Sequence, residues 1–316
     1  MTKSKSMLNQ AEEFLAFRRQ LGSKLRADGY LLREFGRYAD KVGHKGAITA
    51  EIAFRWVRWP PKATPNYLAR RFQVICGFAR HQASIDPKTE IPTAAGLKLR
   101  RIQPHIYTEQ QITNLLAAAA ALSPSDGLRP RTYHTLFGLL ASTGMRVGEA
   151  IRLQRDDVNL EQGILRISNA KFSKSRHVPV HSSTLQVLRH YAEFRDRYHP
   201  APESAMFLLS ECGTPLNGDT VRGTFEQLRE RLGWACSIDG RAPRIHDLRH
   251  TFACRRLLQW YREKIDVDHA ILALSTYLGH SAIACTYWYL TGIPELFAIC
   301  ADRFQQFAGT KLGGVS

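Results

Sequence analysis

The chain holds 316 residues with 44% hydrophobic content, about twice the length of a single domain of roughly 150 residues, so two domains with genuine cores are expected. Its 44 Lys and Arg against 28 Asp and Glu leave a formal charge of +16, which suits a polyanionic partner and poorly suits an enzyme of small neutral metabolites. A membrane surface ranks behind nucleic acid as that partner, because the longest apolar run, residues 115–122, is alanine-rich and far short of the roughly 20 residues a span requires.

The opening MTKSKSMLNQAEEF has no signal-peptide core. The six cysteines (Cys76, Cys212, Cys236, Cys254, Cys285, Cys300) form no C-x-x-C pair and have no histidine at zinc-finger spacing. Neither a metal site nor a disulfide framework is expected, and a reducing cytoplasm fits. The charge is uneven: residues 1–105 hold 20 Lys and Arg against 8 Asp and Glu, net +12, and the remainder nets +4. The first third is therefore the more cationic surface.

In chain order, apolar residues recur at helical spacing over residues 8–21, 30–38 and 48–57. The run Trp59-Pro60-Pro61-Lys62-Ala63-Thr64-Pro65 then breaks the pattern, and a long amphipathic segment follows over residues 66–82, with Arg70, Arg71 and Arg80 at polar positions. These segments predict a small four-helix unit over residues 1–100. Pro87, Pro92, Gly96 and Pro104, interspersed with Lys98, Arg100 and Arg101, mark an extended basic stretch, and the domain boundary is placed in a linker over 101–106. Thr108 followed by Gln111 offers a capping-box start to a helix running through Leu122. Residues 123–130 read as a loop, and 133–141 as a buried helix.

The one clear β signal comes next, in residues 158–160, 164–167 and 177–180, separated by Glu161-Gln162-Gly163 and Ser173-Lys174-Ser175. From Thr184 onward the pattern is helical again, with loops near His199-Pro200 and Asn217-Gly218. The predicted fold is mainly α with one small antiparallel three-stranded sheet.

Three segments carry candidate chemistry: Thr143-Gly144-Met145-Arg146-Val147-Gly148-Glu149, then His246-Asp247-Leu248-Arg249-His250, then Leu278-Gly279-His280 with Tyr289 nine positions later. Each alone has a plain structural reading, as an ion-paired arginine, a chance His-x-x-Arg or a core tyrosine. Their order along the chain is more specific. T-G-M-R-x-x-E, a basic hairpin, H-D-L-R-H-T-F-A and L-G-H-S-x-I-x-x-T-x-x-Y follow one another, and in this the chain resembles the tyrosine recombinase (phage integrase) family, including the XerC/XerD-like site-specific recombinases.

The resemblance covers residues 107–289 specifically, as the catalytic domain of 107–316, and the helical first third more loosely, as a SAM-like core-binding domain. It implies that Arg146, His246, Arg249 and His280 are catalytic and that Tyr289 is the nucleophile. Tyr287, at seven residues from His280, falls off the family spacing and reads as a packing residue. Lys171, eight residues before Pro179, matches the family's hairpin lysine; Lys174 competes and otherwise faces the DNA backbone. The separation of 34 residues from His246 to His280 exceeds the family's usual distance, which points to an extra helical turn or loop over 259–273 and hints at a mobile-element recombinase.

Two guanidiniums can neutralise charge on a phosphate without a divalent ion, each through a rigid fork of donors. A phenol of pKa about 10 needs nearby cations and a base, for which His246 is the candidate. The resemblance assigns the leaving oxygen's proton to Lys171 and a phosphate hydrogen bond to His280. Glu149 and Asp247 are expected to orient these cations. A covalent phosphotyrosine conserves ester energy, so no nucleotide cofactor is expected, and no G-x-x-x-x-G-K-[ST] motif occurs.

The implied partners are double-stranded DNA with specific recombination sites, further copies of the chain in a tetrameric synapse, and accessory recombinases, in the cytoplasm at the nucleoid and away from membranes. Arg70, Arg71, Arg100, Arg101 and Lys174 are the DNA-contact candidates, and binding is expected to depend strongly on salt. Pro294 opens a stripe of Leu296, Phe297, Ile299, Cys300, Phe304 and Phe307, which by resemblance would be a helix docking into a neighbour. The rivals are a type IB topoisomerase and a catalytically inactive DNA-binding or architectural protein; the second would lack one catalytic residue, and none is missing.

Overall fold

The computed structural model describes residues 5–23, 25–93, 96–99, 103–168, 175–234, 241–280 and 282–291. Arg100, Arg101, Lys171, Lys174 and the apolar stripe after Pro294 lie outside the described residues. The chain divides into two compact units, Met1–Ile102 and Gln103–Ser316.

The first unit contains α1 (Met7–Gln20), α2 (Arg26–Lys41), α3 (Ala50–Arg58) and α4 (Pro65–Ala83). Hydroxyl caps start three of them: Ser6 accepts from the Asn9 amide, Thr49 from Ile52 and Thr64 from Tyr67, with Pro65 at the first helical position of α4, where its missing N–H costs nothing. Phe14, Leu15, Phe35, Trp56, Ile75 and Phe78 meet in its core.

Arg71 belongs to that core, which corrects its place among the DNA-contact candidates. Its side chain is 0% exposed, donates to Glu34 Oε1 at 2.8 Å and to the Trp56 carbonyl at 2.7 Å, and lies 3.7 Å from the Trp56 ring centroid. A guanidinium so enclosed cannot reach a phosphate. Arg70, one position earlier, is half-exposed and pairs with Asp28.

The second unit begins on α5 (Glu109–Ala120), whose capping box between Thr108 and Gln111 is fully formed. The adjoining α6 (Leu128–Thr143) is buried on most sides and forms the spine of this unit. It begins earlier than the sequence suggests: Pro130 lies in its first turn, where a missing N–H breaks no helical bond. After α7 (Val147–Ala150) and a 3-10 turn come β1 (Val158–Asn159), β2 (Ile164–Ile167) and β3 (Arg176–Pro179), antiparallel in the order β1-β2-β3. Leu165 stands opposite both Val158 and Val178, and all three are buried in the main core.

The remaining elements are α8 (Ser182–Tyr198), α9 (Gly218–Arg231), α10 (Asp247–Arg262), α11 (Val267–Leu278), α12 (Ala284–Tyr287) and a 3-10 turn, Trp288–Thr291. Asn217, read as loop, caps α9 by accepting from the Asp219 amide. The stretch 259–273 forms the end of α10, a tight turn at Lys264 with φ 58°, and the first half of α11. The architecture is thus mainly helical with a single small antiparallel sheet. Among the described residues no helix is long and apolar enough to cross a membrane.

Removing the enclosed Arg71 side chain empties the space against Trp56 and leaves the half-buried Glu34 without its partner. Arg71→Ala is therefore expected to destabilise the first unit by about 3 kcal/mol, read as loss of hydrogen-exchange protection in α4, whereas Arg70→Ala leaves that protection nearly unchanged.

Candidate functional site

The site is organised by the C-terminus of α11. Gly279 takes φ +67°, and the His280 amide donates back to the Ser275 carbonyl while the Gly279 amide donates to Thr276, a glycine-terminated helix end. The last carbonyls of such a helix carry the negative end of its dipole and lack helical partners. Three successive ones each accept from a different arginine: Tyr277 from Arg176 Nε at 2.8 Å, Leu278 from Arg249 Nη2 at 2.7 Å, and Gly279 from Arg146 Nη2 at 2.9 Å. Gly279 is required twice over, because a Cβ there would stand 2.6 Å from Arg176 Nη1 as well as straining the backbone.

Arg249, on the first turn of α10, also donates through Nη1 to the Gly144 carbonyl at 2.8 Å. One buried guanidinium therefore joins all three sequence segments. Gly144 is the left-handed cap of α6 at φ +62°, and a Cβ on it would meet Phe252 Cδ1 at 2.5 Å. Burial and then the nearby Arg146 push the Arg249 pKa down to about 10, so it remains a cation at neutral pH.

Glu149 orients the group. It accepts from the Arg146 amide at 3.0 Å, from Arg146 Nη1 at 2.7 Å, and from Arg176 through Nη2 at 2.8 Å and Nη1 at 3.2 Å. Burial would raise its carboxyl, but the bonds from Arg176 and Arg146 outweigh it and hold the pKa at about 2. Asp247 orients Arg244, accepting from its amide and from Nη2, and has no contact with Arg249 of this kind. Arg146 keeps 35% of its side chain exposed, against 9% for Arg176, so Arg146 is the cation that faces outward.

Tyr289 is 3% exposed, on the 3-10 turn after α12. Its ring lies 5.4 Å from that of His250 and 6.0 Å from that of His280 between centroids. Burial raises its phenol pKa, opposed by the charge of Arg249 and a hydrogen bond from it. Tyr287 is 40% exposed, so it is not the packing residue its position suggested, and it lies outside this ring cluster.

His280 Nδ1 lies 2.7 Å from the Thr286 hydroxyl, and its pKa is pushed down to about 4 by burial and by Arg249 and Arg146. Burial and the adjacent His246 take His250 to about 4 as well, while burial and Arg249 lower His246. All three rings are neutral at pH 7.

The structure thus gathers Arg146, Arg249, His280 and Tyr289, with His246 reached through its edge-on contact with His250 at 4.9 Å between ring centroids. Arg176 went unnoticed in the sequence, although it stands three residues before Pro179 on the strand that the hairpin motif defines. Among the described residues no cluster of His, Cys, Asp or Glu is arranged to hold a metal. Cys76, Cys212 and Cys285 are free thiols.

Residues 106–292 match the phage integrase family, more than half of the chain. The chain belongs to the phage integrase family. This integrase-family chain is 38% identical over 303 residues to a Sinorhizobium fredii protein provisionally named integrase/recombinase y4rB, covering 93% of this chain and 96% of that one. It is 30% identical over 273 residues to the tyrosine recombinase XerD of Xanthomonas campestris pv. campestris, covering 82% and 78%.

Similar folds occur in the Tn1549 transposon integrase in complex with transposon right end DNA and in a lambda integrase dimer bound to a COC' core site. For the former the TM-score is 0.74 at 15% identity, covering 96% of this chain and all of that one; for the latter it is 0.63 at 17%, covering 90% and 77%. The chain is a tyrosine recombinase of mainly helical fold.

Because His250 and His280 are held neutral down to about pH 4 in the folded state and protonate near 6.5 when unfolded, the unfolded chain binds more protons between these values. Stability is expected to be fully present above pH 6.5 and to fall as the pH drops toward 4. Melting temperatures taken across that range fall in the parent and fall less steeply in His250→Phe.

Proposed function

We propose that this protein cleaves and rejoins DNA at specific sites through a 3′-phosphotyrosine intermediate, with Tyr289 as nucleophile. The observation that carries the reading is that a buried tyrosine stands beside two arginines, Arg146 and Arg249, and a neutral His280 at one helix terminus. Phosphoryl transfer asks for positioning and for cations set where charge develops on the phosphate oxygens, and planar guanidiniums supply both.

The steps follow from the protonation states. In the absence of DNA the Tyr289 phenol is protonated, since burial raises its pKa. It must lose that proton as its oxygen attacks phosphorus, and His246, neutral at pH 7, is the base. With the Thr286 hydroxyl donating to Nδ1, His280 carries its proton on Nε2 and donates it to a phosphate oxygen. The departing 5′ oxygen takes a proton from Lys171, a role carried by the family resemblance. Reversal of these steps on a new 5′ hydroxyl rejoins the strand, so no energy cofactor is consumed.

In this reading residues 1–100 form the core-binding domain and 101–106 a basic linker, with Arg70, Arg100, Arg101 and Lys174 touching the DNA backbone. The remainder, 107–316, is catalytic, and several copies assemble on paired sites. The role in this reading is integration, resolution or mobile-element movement, and the similarity in fold to a transposon integrase and a lambda integrase in complex with DNA supports the first and the last. Accessory recombinases and a place at the nucleoid belong to the same proposal.

Incubation with nicked suicide DNA from the flanks of the protein's own gene is expected to yield a covalent adduct mapping to Tyr289. Tyr289→Phe should abolish it, and Arg146→Lys should slow it by on the order of 100-fold, since a point charge cannot replace a two-pronged donor. An adduct that survives in Tyr289→Phe would falsify the assignment.

A further inference from the structure

Glu149 presents a problem of charge. A carboxylate held in contact with a single arginine cancels most of that arginine's field, yet Arg146 is the outward-facing cation on which the proposed chemistry depends. Arg176 changes this balance. It opens β3, its side chain is 9% exposed, and it grips both oxygens of Glu149 from the interior while its Nε is anchored on the Tyr277 carbonyl. One carboxylate is thereby shared by two guanidiniums, and the trio carries a surplus of one positive charge. Arg176 has little surface through which to display it, whereas Arg146 is 35% exposed.

We propose that Arg176 is a positioning residue for strand cleavage: by engaging Glu149 from the buried side, it leaves Arg146 held in place by that carboxylate but with its charge uncancelled toward the scissile phosphate. The geometry also accounts for the small residue at 279, because the Arg176 guanidinium occupies the space a Cβ would take. Here the side chain spans a strand, a short helix and a helix terminus, and its net effect is electrostatic. The inference rests on the reading of Arg146 as a phosphate ligand.

The test compares rates of covalent adduct formation on nicked DNA carrying either an ordinary scissile phosphate or a methylphosphonate, which lacks the ionised oxygen. The variants are Arg176→Gln and, as the reference for lost charge neutralisation, Arg146→Ala. Arg176→Gln is expected to bind DNA as the parent does, to lose on the order of 100-fold in rate on the phosphate, and to come within about tenfold of the parent on the methylphosphonate. A deficit equal on both DNAs, which is what a merely structural role would give, overturns the proposal, as does no deficit on the phosphate.

If Arg176→Gln does not fold, Arg176→Lys serves: it keeps the charge but cannot bridge Glu149 and Tyr277, and is expected to show a smaller deficit with the same selectivity for the ionised substrate. Uniform loss in that variant is equally contrary. Should Arg146→Ala show no such selectivity, the reading of Arg146 itself fails; should Arg146→Ala show it and Arg176→Gln not, the Arg176 inference alone fails.

Discussion

Helix α11 ends on three carbonyls with no helical donor left to fill them, and three arginines fill them. Each guanidinium needs an acceptor in a buried setting, and each terminal carbonyl needs a donor; the two needs are met by one another. The consequence is a cluster of cations that does not fly apart. Arg146, Arg176 and Arg249 come from a helix start, a strand and the first turn of α10, yet they converge because residues 277–279 offer three acceptors in sequence. Among the described residues Glu149 is the carboxylate paired with Arg146 and Arg176, and its pKa of about 2 keeps that charge at every working pH. The sheet's part is to deliver Arg176, through a β3 strand whose Val178 is buried in the core of the second unit.

The same burial that concentrates positive charge depresses the histidines. Protonating His250 or His280 would add a further cation beside two arginines in a partly dehydrated space, so these rings stay neutral. Neutral histidines can accept a proton or donate a hydrogen bond, which is what attack by a phenol requires. Tyr289, in turn, is held protonated by burial while Arg249 favours its anion. An incoming phosphate would add negative charge to this cationic pocket and so shift the balance among these groups.

Much of this was legible in the sequence because the determinants are local. Helical periodicity located α1 to α4, the Thr108–Gln111 capping box located α5, and the turn residues around two short apolar runs located the sheet. The motif spacing marked Arg146, Arg249, His280 and Tyr289 because each motif carries its own backbone requirement, such as the left-handed Gly144 and Gly279. Arg71 was misread because amphipathic spacing treats every arginine as polar surface; only the tertiary placement of Trp56 and Glu34 makes its burial tolerable. Tyr287 was misread because its neighbours on α12 leave that face exposed. Arg176 was missed because its partners lie 27 and 101 residues away, beyond any periodicity.

In the proposed reaction Arg146, Arg249 and His280 surround a single phosphate within reach of Tyr289. A crystal structure of the protein covalently trapped on nicked suicide DNA measures this directly. The expected density shows one phosphorus bonded to the Tyr289 oxygen, with Arg146, Arg249 and His280 each within hydrogen-bonding distance of its oxygens. A phosphate bonded to another residue, or one to which Arg146 and Arg249 make no contact, would contradict it.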